Sequence, residues 1–213
     1  MTSRSEATSL RIQDSGVIAI LRGDFERSEL LELTEAIING GIRALELTLN
    51  SRDALDGITA LRSHLGSDVL VGAGTVRNRT DASNALAAGS EFLVSPNLDL
   101  DTVRLAQEAD ILHLPGVFTP TEAQAALNAG CRLLKLFPCD IVGPAHLKAL
   151  RGPLSDALFI PTGGVSPDTA SEFLKAGAAA LGLGGELTRF RDELDRVTEV
   201  AGSVVRAVQE SRA

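Results

Sequence analysis

The chain has 213 residues, of which 44% are hydrophobic and 23% are charged, and its formal net charge at pH 7 is −8. This length suffices for one large domain or two small ones around a sizeable hydrophobic core. The excess of acidic residues argues against nucleic acid or an anionic membrane surface as a partner. Any anionic ligand must therefore be held by local features of the fold.

The two cysteines and three histidines do not form a metal-binding pattern. Cys131 and Cys139 lack the spacing of metal ligands, and the histidines are scattered, so we predict no metal and no cofactor. Such sparse use of cysteine suits a reducing compartment. Residues 1–9 lack the apolar core of a secretory signal, and no run reaches the roughly 18 apolar residues of a membrane span. We therefore predict a cytoplasmic protein.

Strand and helix patterns alternate along the first half of the chain. They follow a polar lead-in, residues 1–15, in which we predict at most one short helix. Each predicted strand is a short apolar run, and each predicted helix has apolar residues at spacings of three and four. The strands are predicted at 16–21, 43–49, 69–73 and 91–94, and the helices at 27–39, 52–65, 80–88 and 99–108.

The same alternation continues to the end of the chain. Thr119, Pro120 and Glu122 predict a helix start, with Thr119 as the N-cap and Glu122 as the third helical residue. The remaining strands are predicted at 111–114, between Gly130 and Pro138, at 158–161 and at 179–183. The remaining helices are predicted from 119 to 130, at 144–150, from Ser166-Pro167 onward and at 192–210.

Eight strand–helix units without a linker predict one α/β domain, residues 1–213, folded as a closed (β/α)8 TIM barrel. A doubly wound open sheet is the alternative. That fold usually carries a nucleotide-binding fingerprint near its first strand, which Gly16 and Gly23 do not form.

A single lysine, Lys135, lies in the apolar run between Gly130 and Pro138. Burial disfavours the charged form of a lysine, and the neutral amine is the nucleophile. Such an amine can attack a ketone carbonyl and form a Schiff base. The alternative is a lysine near the strand end whose ammonium group reaches water.

Strand alternation places a carboxylate inside the predicted barrel. In the second strand, Ala44, Glu46, Thr48 and Asn50 share one face, and the intervening leucines face the helices. An inward carboxylate and Lys135 on another strand favour a coupled pair, in which the amine forms the electrophile and Glu46 shuttles protons. The alternative is a purely structural buried ion pair.

Two glycine pairs, Gly163-Gly164 and Gly184-Gly185, directly follow the seventh and eighth predicted strands. Barrels commonly bind phosphate at this position, through exposed backbone N–H groups and the positive end of the next helix. Each pair alone is also compatible with an ordinary turn. Arg22, at the end of the first strand, is a candidate to bind a carboxylate or a phosphate, or else a surface residue.

Seven short motifs occur in order over nearly the whole chain. They are Ile20-Leu21-Arg22, Leu45-Glu46-Leu47-Thr48, Gly72-Ala73-Gly74-Thr75-Val76, Ser95-Pro96-Asn97, Pro115-Gly116, Lys135-Leu136-Phe137-Pro138 and Pro161-Thr162-Gly163-Gly164-Val165. Together they resemble the class I aldolases that cleave 2-keto-3-deoxy-6-phosphogluconate, grouped with 4-hydroxy-2-oxoglutarate aldolase.

The resemblance implies a (β/α)8 homotrimer that acts on a small-molecule substrate, a phosphorylated 2-keto-3-deoxy sugar acid, and releases pyruvate without a cofactor. The residue matching Lys135 forms the Schiff base, and the one matching Glu46 moves protons. Thr75 matches a residue that contacts the carboxylate end of the keto acid. Pro96 and Phe137 match residues that line the pocket, and the resemblance assigns the phosphate cradle to Gly163, Gly164 and Gly184.

Two positions depart from the usual pattern of the phosphogluconate members. Those members usually carry an Arg where this chain has Asn50, and Leu49-Asn50-Ser51 is similar to members acting on the C4 epimer, 2-keto-3-deoxy-6-phosphogalactonate. Gly185 stands where many relatives have a Ser whose hydroxyl helps to hold phosphate. The resemblance therefore leaves open the C4 preference and the strength of phosphate binding.

Three alternatives to a sugar-acid aldolase remain at this point. One is a 4-hydroxy-2-oxoglutarate aldolase, which releases pyruvate and glyoxylate. The second is a non-catalytic barrel that binds a phosphorylated ligand and uses the Lys135–Glu46 pair as scaffold. The third is a phosphate-binding isomerase barrel. Periodicity and spacing do not separate these functions, and the family resemblance alone favours the aldolase.

Overall fold

The computed structural model describes residues 2–212 and shows strands alternating with helices, as the sequence predicts. The strands are β1 (Val17–Leu21), β2 (Ala44–Thr48), β3 (Leu70–Gly74), β4 (Phe92–Val94), β5 (Leu112–Leu114), β6 (Gly116–Val117), β7 (Leu133–Leu136), β8 (Leu158–Pro161) and β9 (Leu181–Leu183). The helices are α1 (Arg4–Ser15), α2 (Arg27–Asn39), α3 (Ala54–His64), α4 (Arg79–Ala87), α5 (Leu100–Glu108), α6 (Pro120–Asn128), α7 (Gly143–Arg151), α8 (Ala170–Lys175), α9 (Gly185–Thr188) and α10 (Leu194–Arg212).

The strands form two parallel sheets that together make a curled α/β architecture. The larger sheet has the order β5-β4-β3-β2-β1-β9, and the smaller has the order β6-β7-β8. Pro115 alone separates β5 from β6, and an isolated parallel bridge joins Thr162, directly after β8, to Gly182 in β9. These two links connect the larger sheet to the smaller one.

Burial divides the hydrophobic core into two clusters. Leu45 and Leu47 of β2 belong to the larger cluster, which includes buried residues of the helices such as Ile58. Ala44 belongs to a smaller cluster, made of inward strand residues and Ile12 of α1. The predicted alternation in β2 is therefore confirmed, with the leucines toward the helices and Ala44 inside the curl.

The amino-terminal segment corrects one prediction, because residues 4–15 form a full helix of 12 residues rather than a polar lead-in with at most one short helix. The Ser3 side chain accepts a hydrogen bond from the Glu6 N–H at the start of α1, and Gly16, with φ 71°, ends the helix. Ile12 packs into the inner cluster. The sequence concealed this helix because only Thr8 and Ile12 of α1 are buried.

Three further differences concern short elements. Strand β6 lies directly beyond Pro115 and was not predicted. Helix α8 begins at Ala170 instead of at Ser166-Pro167, because the Ser166 and Thr169 hydroxyls each accept a hydrogen bond from the other residue's N–H and hold a turn there. Helix α9, which directly follows Gly184, was not predicted.

The longest helix, α10, packs against α2 through a close approach at Gly40. A Cβ added to Gly40 would lie 2.5 Å from the Ala201 Cβ, and the Thr198 hydroxyl donates a 2.9 Å hydrogen bond to the Ala36 carbonyl. These contacts fix the end of the chain against the first strand–helix unit. Along residues 2–212, no helix combines the length and the apolarity needed to cross a bilayer.

Candidate active site

Strands β2 and β7 each place one charged side chain inside the curled sheet. Glu46 is 1% exposed and Lys135 is 4% exposed. The Lys135 Nζ lies 4.0 Å from the Glu46 Oε1, and it also lies 5.2 Å from the centre of the Phe137 ring. The structure therefore brings together the two residues that the sequence analysis coupled, at a separation too long for a direct hydrogen bond.

The environment of Glu46 favours its protonated form. Burial raises the pKa of Glu46 above its usual value, and the nearby charges of Lys135 and Arg22 oppose this effect. The Oε1 atom accepts no hydrogen bond from any residue in the described part of the chain. Glu46 can therefore hold a proton at a higher pH than an exposed glutamate, and its buried Oε1 keeps an acceptor position that the described residues leave unused.

A cavity of about 300 Å³ opens beside Lys135. Its lining includes Arg22, Phe137 and both glycine pairs, Gly163-Gly164 and Gly184-Gly185. These residues lie at or just beyond the carboxyl ends of β1, β7, β8 and β9. A concave site of this size, with a few convergent polar groups, suits a small ligand.

The glycine pairs expose the backbone to the cavity. Gly163 and Gly164 have φ values of 91° and 70°, and a Cβ on Gly164 would lie 2.9 Å from the Asp140 Cα. Both the conformation and the crowding therefore require glycine at position 164. Position 185 has space for a side chain, because no atom lies within 4 Å of a Cβ added to Gly185.

Arg22 and Thr75 form a second polar contact near the cavity. The exposed Arg22 guanidinium donates a 3.5 Å hydrogen bond to the Thr75 hydroxyl. Thr75 has φ 57°, a left-handed conformation that β-branched residues rarely adopt and that often marks a functional site. A guanidinium in this position can bind a carboxylate through two parallel hydrogen bonds.

Four of the candidate residues are not part of the cavity lining. Glu46 and Thr75 lie next to lining residues, Lys135 and Arg22, whereas Asn50 and Pro96 do not share such a contact with the other candidates. Asn50 is exposed in the turn after β2, because the strand ends at Thr48 and the predicted alternation does not continue beyond it. Pro96 is half-buried after β4 and lies against β6, where a Cβ on Gly116 would be 2.4 Å from the Pro96 carbonyl carbon. The structure therefore does not bring Asn50 and Pro96 together with the other candidates.

Five further residues line the cavity but were not predicted from the sequence. They are Ile20, Thr162, Val165, Gly182 and Thr188. Strand alternation could have identified Ile20 and Thr162, because each lies two residues beyond an inward-facing residue of its strand, Ile18 and Ile160. No sequence pattern could have identified Thr188, because it belongs to the unpredicted helix α9.

The side chains of the described chain do not assemble a metal-binding cluster. Within residues 2–212, no three His, Cys, Asp or Glu residues are grouped so that they could hold an ion. Cys131 and Cys139 are buried free thiols, and burial raises the pKa of each to about 11. The polar groups of the cavity region include an amine, a guanidinium, two threonine hydroxyls and backbone N–H groups, and the Glu46 carboxylate lies next to the amine.

A second buried polar pair lies on β5 and at the end of β4. The His113 Nε2 lies 2.7 Å from the Ser95 hydroxyl, and the His113 Nδ1 has no hydrogen-bond partner among the described residues. Burial lowers the pKa of His113 from 6.5 to about 4, and the charge of Asp99 opposes this shift. The folded protein therefore holds His113 in its neutral form at physiological pH.

The buried His113 should make stability depend on pH. Between 6.5 and about 4 the unfolded chain binds a proton that the folded protein excludes, so the free energy of unfolding is expected to fall as the pH falls through this window. The contribution of this one group amounts to about 3 kcal/mol. Denaturant unfolding of the wild type and of His113→Asn at several pH values within this window measures the change in the free energy of unfolding.

The matched control for this experiment is His64→Asn, since the His64 side chain is 41% exposed. We expect this control to keep most of the wild-type decline, whereas His113→Asn should flatten it. Equal slopes for the wild type and His113→Asn would contradict the assignment.

Comparisons with known proteins give a consistent result. A family model described as KDPG and KHG aldolase matches residues 9–200. The 2-dehydro-3-deoxy-6-phosphogalactonate aldolase of Escherichia coli K12 is 36% identical over 196 residues, which cover 92% of this chain and 95% of the relative. The solved structure described as native KDPGal has a TM-score of 0.86 and 34% identity, with 92% and 95% of the two chains covered.

A third relative carries a bound molecule. It is the crystal structure of KDPG aldolase from Legionella pneumophila with pyruvate captured at low pH as a covalent carbinolamine intermediate. Its TM-score is 0.83 at 29% identity, and 92% of this chain and 97% of that chain are covered. In all three cases the similarity extends over nearly the whole length of both proteins.

Proposed function

The chain belongs to the KDPG and KHG aldolase family, whose members are lyases, and on this basis we propose that it is a class I aldolase. Its substrate is 2-keto-3-deoxy-6-phosphogluconate or the C4 epimer 2-keto-3-deoxy-6-phosphogalactonate, and its products are pyruvate and glyceraldehyde 3-phosphate. The observation that carries the proposal is the buried Lys135–Glu46 pair beside a cavity of about 300 Å³. The carbinolamine of pyruvate in the Legionella pneumophila enzyme supports the covalent route.

The reaction begins at Lys135. Its neutral amine attacks the C2 ketone of the substrate, and the carbinolamine loses water to give an iminium ion. The iminium withdraws electrons from C3, so it supplies the electron sink for breaking the C3–C4 bond. A lysine held inside the curled sheet at the cavity wall is well placed for this attack.

Glu46 then moves the proton. Its carboxylate accepts the proton of the C4 hydroxyl, the C3–C4 bond breaks, and the bonding electrons pass to C3 to form an enamine while the aldehyde leaves. The protonated Glu46 returns the proton to C3, and hydrolysis frees pyruvate and Lys135. The raised pKa of Glu46 supports this double role, because an acid–base group works best when its pKa lies near the working pH.

The two ends of the substrate are assigned to different groups. Arg22 and Thr75 bind the carboxylate of the keto acid, which their mutual hydrogen bond supports. Phe137 forms an apolar wall, and the two glycine pairs bind the phosphate through backbone N–H groups. The 36% identity to a phosphogalactonate aldolase supports the galactonate series, although the family also contains phosphogluconate enzymes.

We extend the proposal to the architecture. Residues 1–213 form one domain in which the two sheets close into a (β/α)8 barrel. A 3.0 Å hydrogen bond from the Lys135 N–H to the Pro115 carbonyl and the bridge between Thr162 and Gly182 support this closure. Three copies form a homotrimer, as the family resemblance implies, and the cytoplasmic location is proposed from the sparse use of cysteine in the sequence. Light scattering of the purified protein tests the trimer.

The central experiment compares substrates. We expect cleavage of both epimeric 6-phosphates with a clear preference for one, and a kcat/KM at least about tenfold lower for 4-hydroxy-2-oxoglutarate, because phosphate contacts contribute binding energy in the transition state. Coupled assays of glyceraldehyde 3-phosphate and pyruvate measure these rates. Comparable rates for 4-hydroxy-2-oxoglutarate would favour the aldolase that releases glyoxylate. Reversible binding without release of aldehyde would favour a non-catalytic binding protein.

A variant of Gly185 tests the phosphate end within the same assay. Gly185→Ser adds a hydroxyl in open space beside the cavity, so KM for the phosphorylated substrate is expected to fall about fivefold, the equivalent of one hydrogen bond. Gly185→Ala is the control, because it adds the Cβ without the hydroxyl. An equal KM in the two variants would argue against phosphate binding at this position.

A further inference from the structure

Gly74, the last residue of β3, lies against the Glu46 carboxylate. A Cβ added to Gly74 would lie 1.8 Å from the Glu46 Oε1 and 2.5 Å from its Cδ. Gly74 is not among the glycines with positive φ, so its backbone conformation does not require glycine. Space for the Glu46 carboxylate is therefore the reason that position 74 has no side chain.

We infer that Gly74 is a positioning residue of the aldolase, because its missing side chain leaves the space in which the Glu46 Oε1 faces Lys135. This inference rests on the proposed function, in which Glu46 moves a proton between the substrate and the enamine. The residue acts only through Glu46, so its replacement should change proton transfer before it changes binding.

The strand register explains how the carboxylate reaches this position. In the parallel pair of β2 and β3, Glu46 is the partner of Gly72, and Thr48 is the partner of Gly74. The Glu46 side chain therefore extends about two residues along the strand, toward the carboxyl end where the cavity opens. A side chain at position 74 would push the carboxylate back along β2, away from that end.

The oxygen that Gly74 accommodates is also the one that faces the lysine. Oε1 lies 4.0 Å from the Lys135 Nζ and has no hydrogen-bond partner among the described residues. A separation of 4.0 Å leaves room for a substrate hydroxyl or a water molecule to contact both groups. If Oε1 were displaced, a substrate hydroxyl or a water molecule could no longer contact both Oε1 and the Lys135 Nζ, even with Lys135 in place.

Gly72 offers a matched control on the same strand and the same inward face. A Cβ on Gly72 would lie 2.6 Å from ring carbons of Phe92, a residue of the inner apolar cluster. Gly72→Ala and Gly74→Ala therefore introduce the same methyl group into the same strand, and each creates a contact shorter than 3.0 Å. The atoms nearest to the added Cβ belong to the Phe92 ring at position 72 and to the Glu46 side chain at position 74.

The experiment follows the exchange of pyruvate methyl protons for deuterium by NMR, since this exchange requires the Lys135 enamine and a proton shuttle but no phosphorylated substrate. Gly74→Ala is expected to slow exchange about 100-fold or more, the size of a lost acid–base contribution. Borohydride should still trap pyruvate on Lys135 in this variant after prolonged incubation. Gly72→Ala should lower thermal stability and keep exchange within about threefold of the wild type for the folded fraction.

Combination with Glu46→Ala separates positioning from general damage. This substitution removes the Cγ, Cδ and Oε1 atoms, which are the three atoms nearest to a Cβ at position 74, so adding Gly74→Ala to Glu46→Ala is expected to lower the residual exchange by at most a few fold. Equal losses from Gly74→Ala in the wild-type and Glu46→Ala backgrounds, or wild-type exchange in a folded Gly74→Ala protein, would overturn the inference. If the wild type forms no trapped adduct with pyruvate, the proposed function itself fails instead.

Discussion

Lys135→Met is expected to lower aldolase activity by on the order of 10⁴-fold or more, because the reaction then has no amine to form the iminium ion. Methionine has a similar length and suits an apolar interior, so the fold should survive the change. Steady-state cleavage of the phosphorylated substrate measures the loss. Circular dichroism and thermal unfolding establish that the variant is folded.

The chain provides its own controls for this experiment, because it contains only two other lysines, Lys148 and Lys175, and neither is buried. Lys148→Met and Lys175→Met should keep wild-type activity. Treatment of the wild type with pyruvate and borohydride should add one stable adduct, and peptide mapping should locate it on Lys135. An active enzyme that remains unmodified, or near wild-type activity in Lys135→Met, would contradict the proposed mechanism.

Glu46→Gln is expected to lower kcat by roughly 10²- to 10⁴-fold, because glutamine keeps the shape of the side chain but cannot accept or return a proton. The substrate should still bind, since the groups assigned to its carboxylate and phosphate ends are unchanged. The change in KM should therefore be small compared with the change in kcat. Steady-state kinetics of the purified variant on the preferred epimer measures both.

The same variant should alter how stability depends on pH. Burial raises the pKa of Glu46 above 4.5, so the folded protein binds its proton more tightly than the unfolded chain does. This group therefore stabilises the fold below pH 4.5, and its contribution declines as the pH rises through the folded-state pKa. Glu46→Gln removes this decline, so its stability relative to the wild type should improve as the pH rises.

Glu32→Gln is the matched control, because Glu32 is exposed on α2. We expect it to leave both kcat and the pH dependence of unfolding nearly unchanged. The change of stability with pH is the informative quantity, since removal of the carboxylate also leaves the buried Lys135 without its partner and shifts the absolute stability. Parallel slopes for the wild type and Glu46→Gln would show that Glu46 has no raised pKa.

Local patterns in the sequence were sufficient for much of the fold. The bounds of α2 and β8 agree with the prediction, and Thr119 and Glu122 form the predicted capping box of α6. Alternation in β2 placed Glu46 inside the sheet, next to the lysine of β7. These features depend on side-chain periodicity and on hydrogen bonds between residues three positions apart, both of which are visible in the sequence.

Other features depend on contacts between distant parts of the chain. The start of α1 is tied to the Asp110 carboxylate, which accepts hydrogen bonds from the N–H groups of Arg4 and Ser5 at 2.8 and 3.2 Å. A partner more than 100 residues away leaves no local signal. The inclusion of Thr188 in the cavity and the exclusion of Asn50 likewise depend on where α9 begins and where β2 ends.

The cavity lies at a junction between the two sheets. The bridge from Thr162 to Gly182 and a 2.9 Å hydrogen bond from the Ala179 N–H to the Phe159 carbonyl connect β8 with the β9 segment, and Thr162 and Gly182 both line the cavity. One glycine pair follows each of these strands, so an anion bound by both pairs, as proposed above, would contact both sides of this junction. Under that proposal, occupancy of the site would hold β8 and β9 together and stabilise the junction between the two sheets.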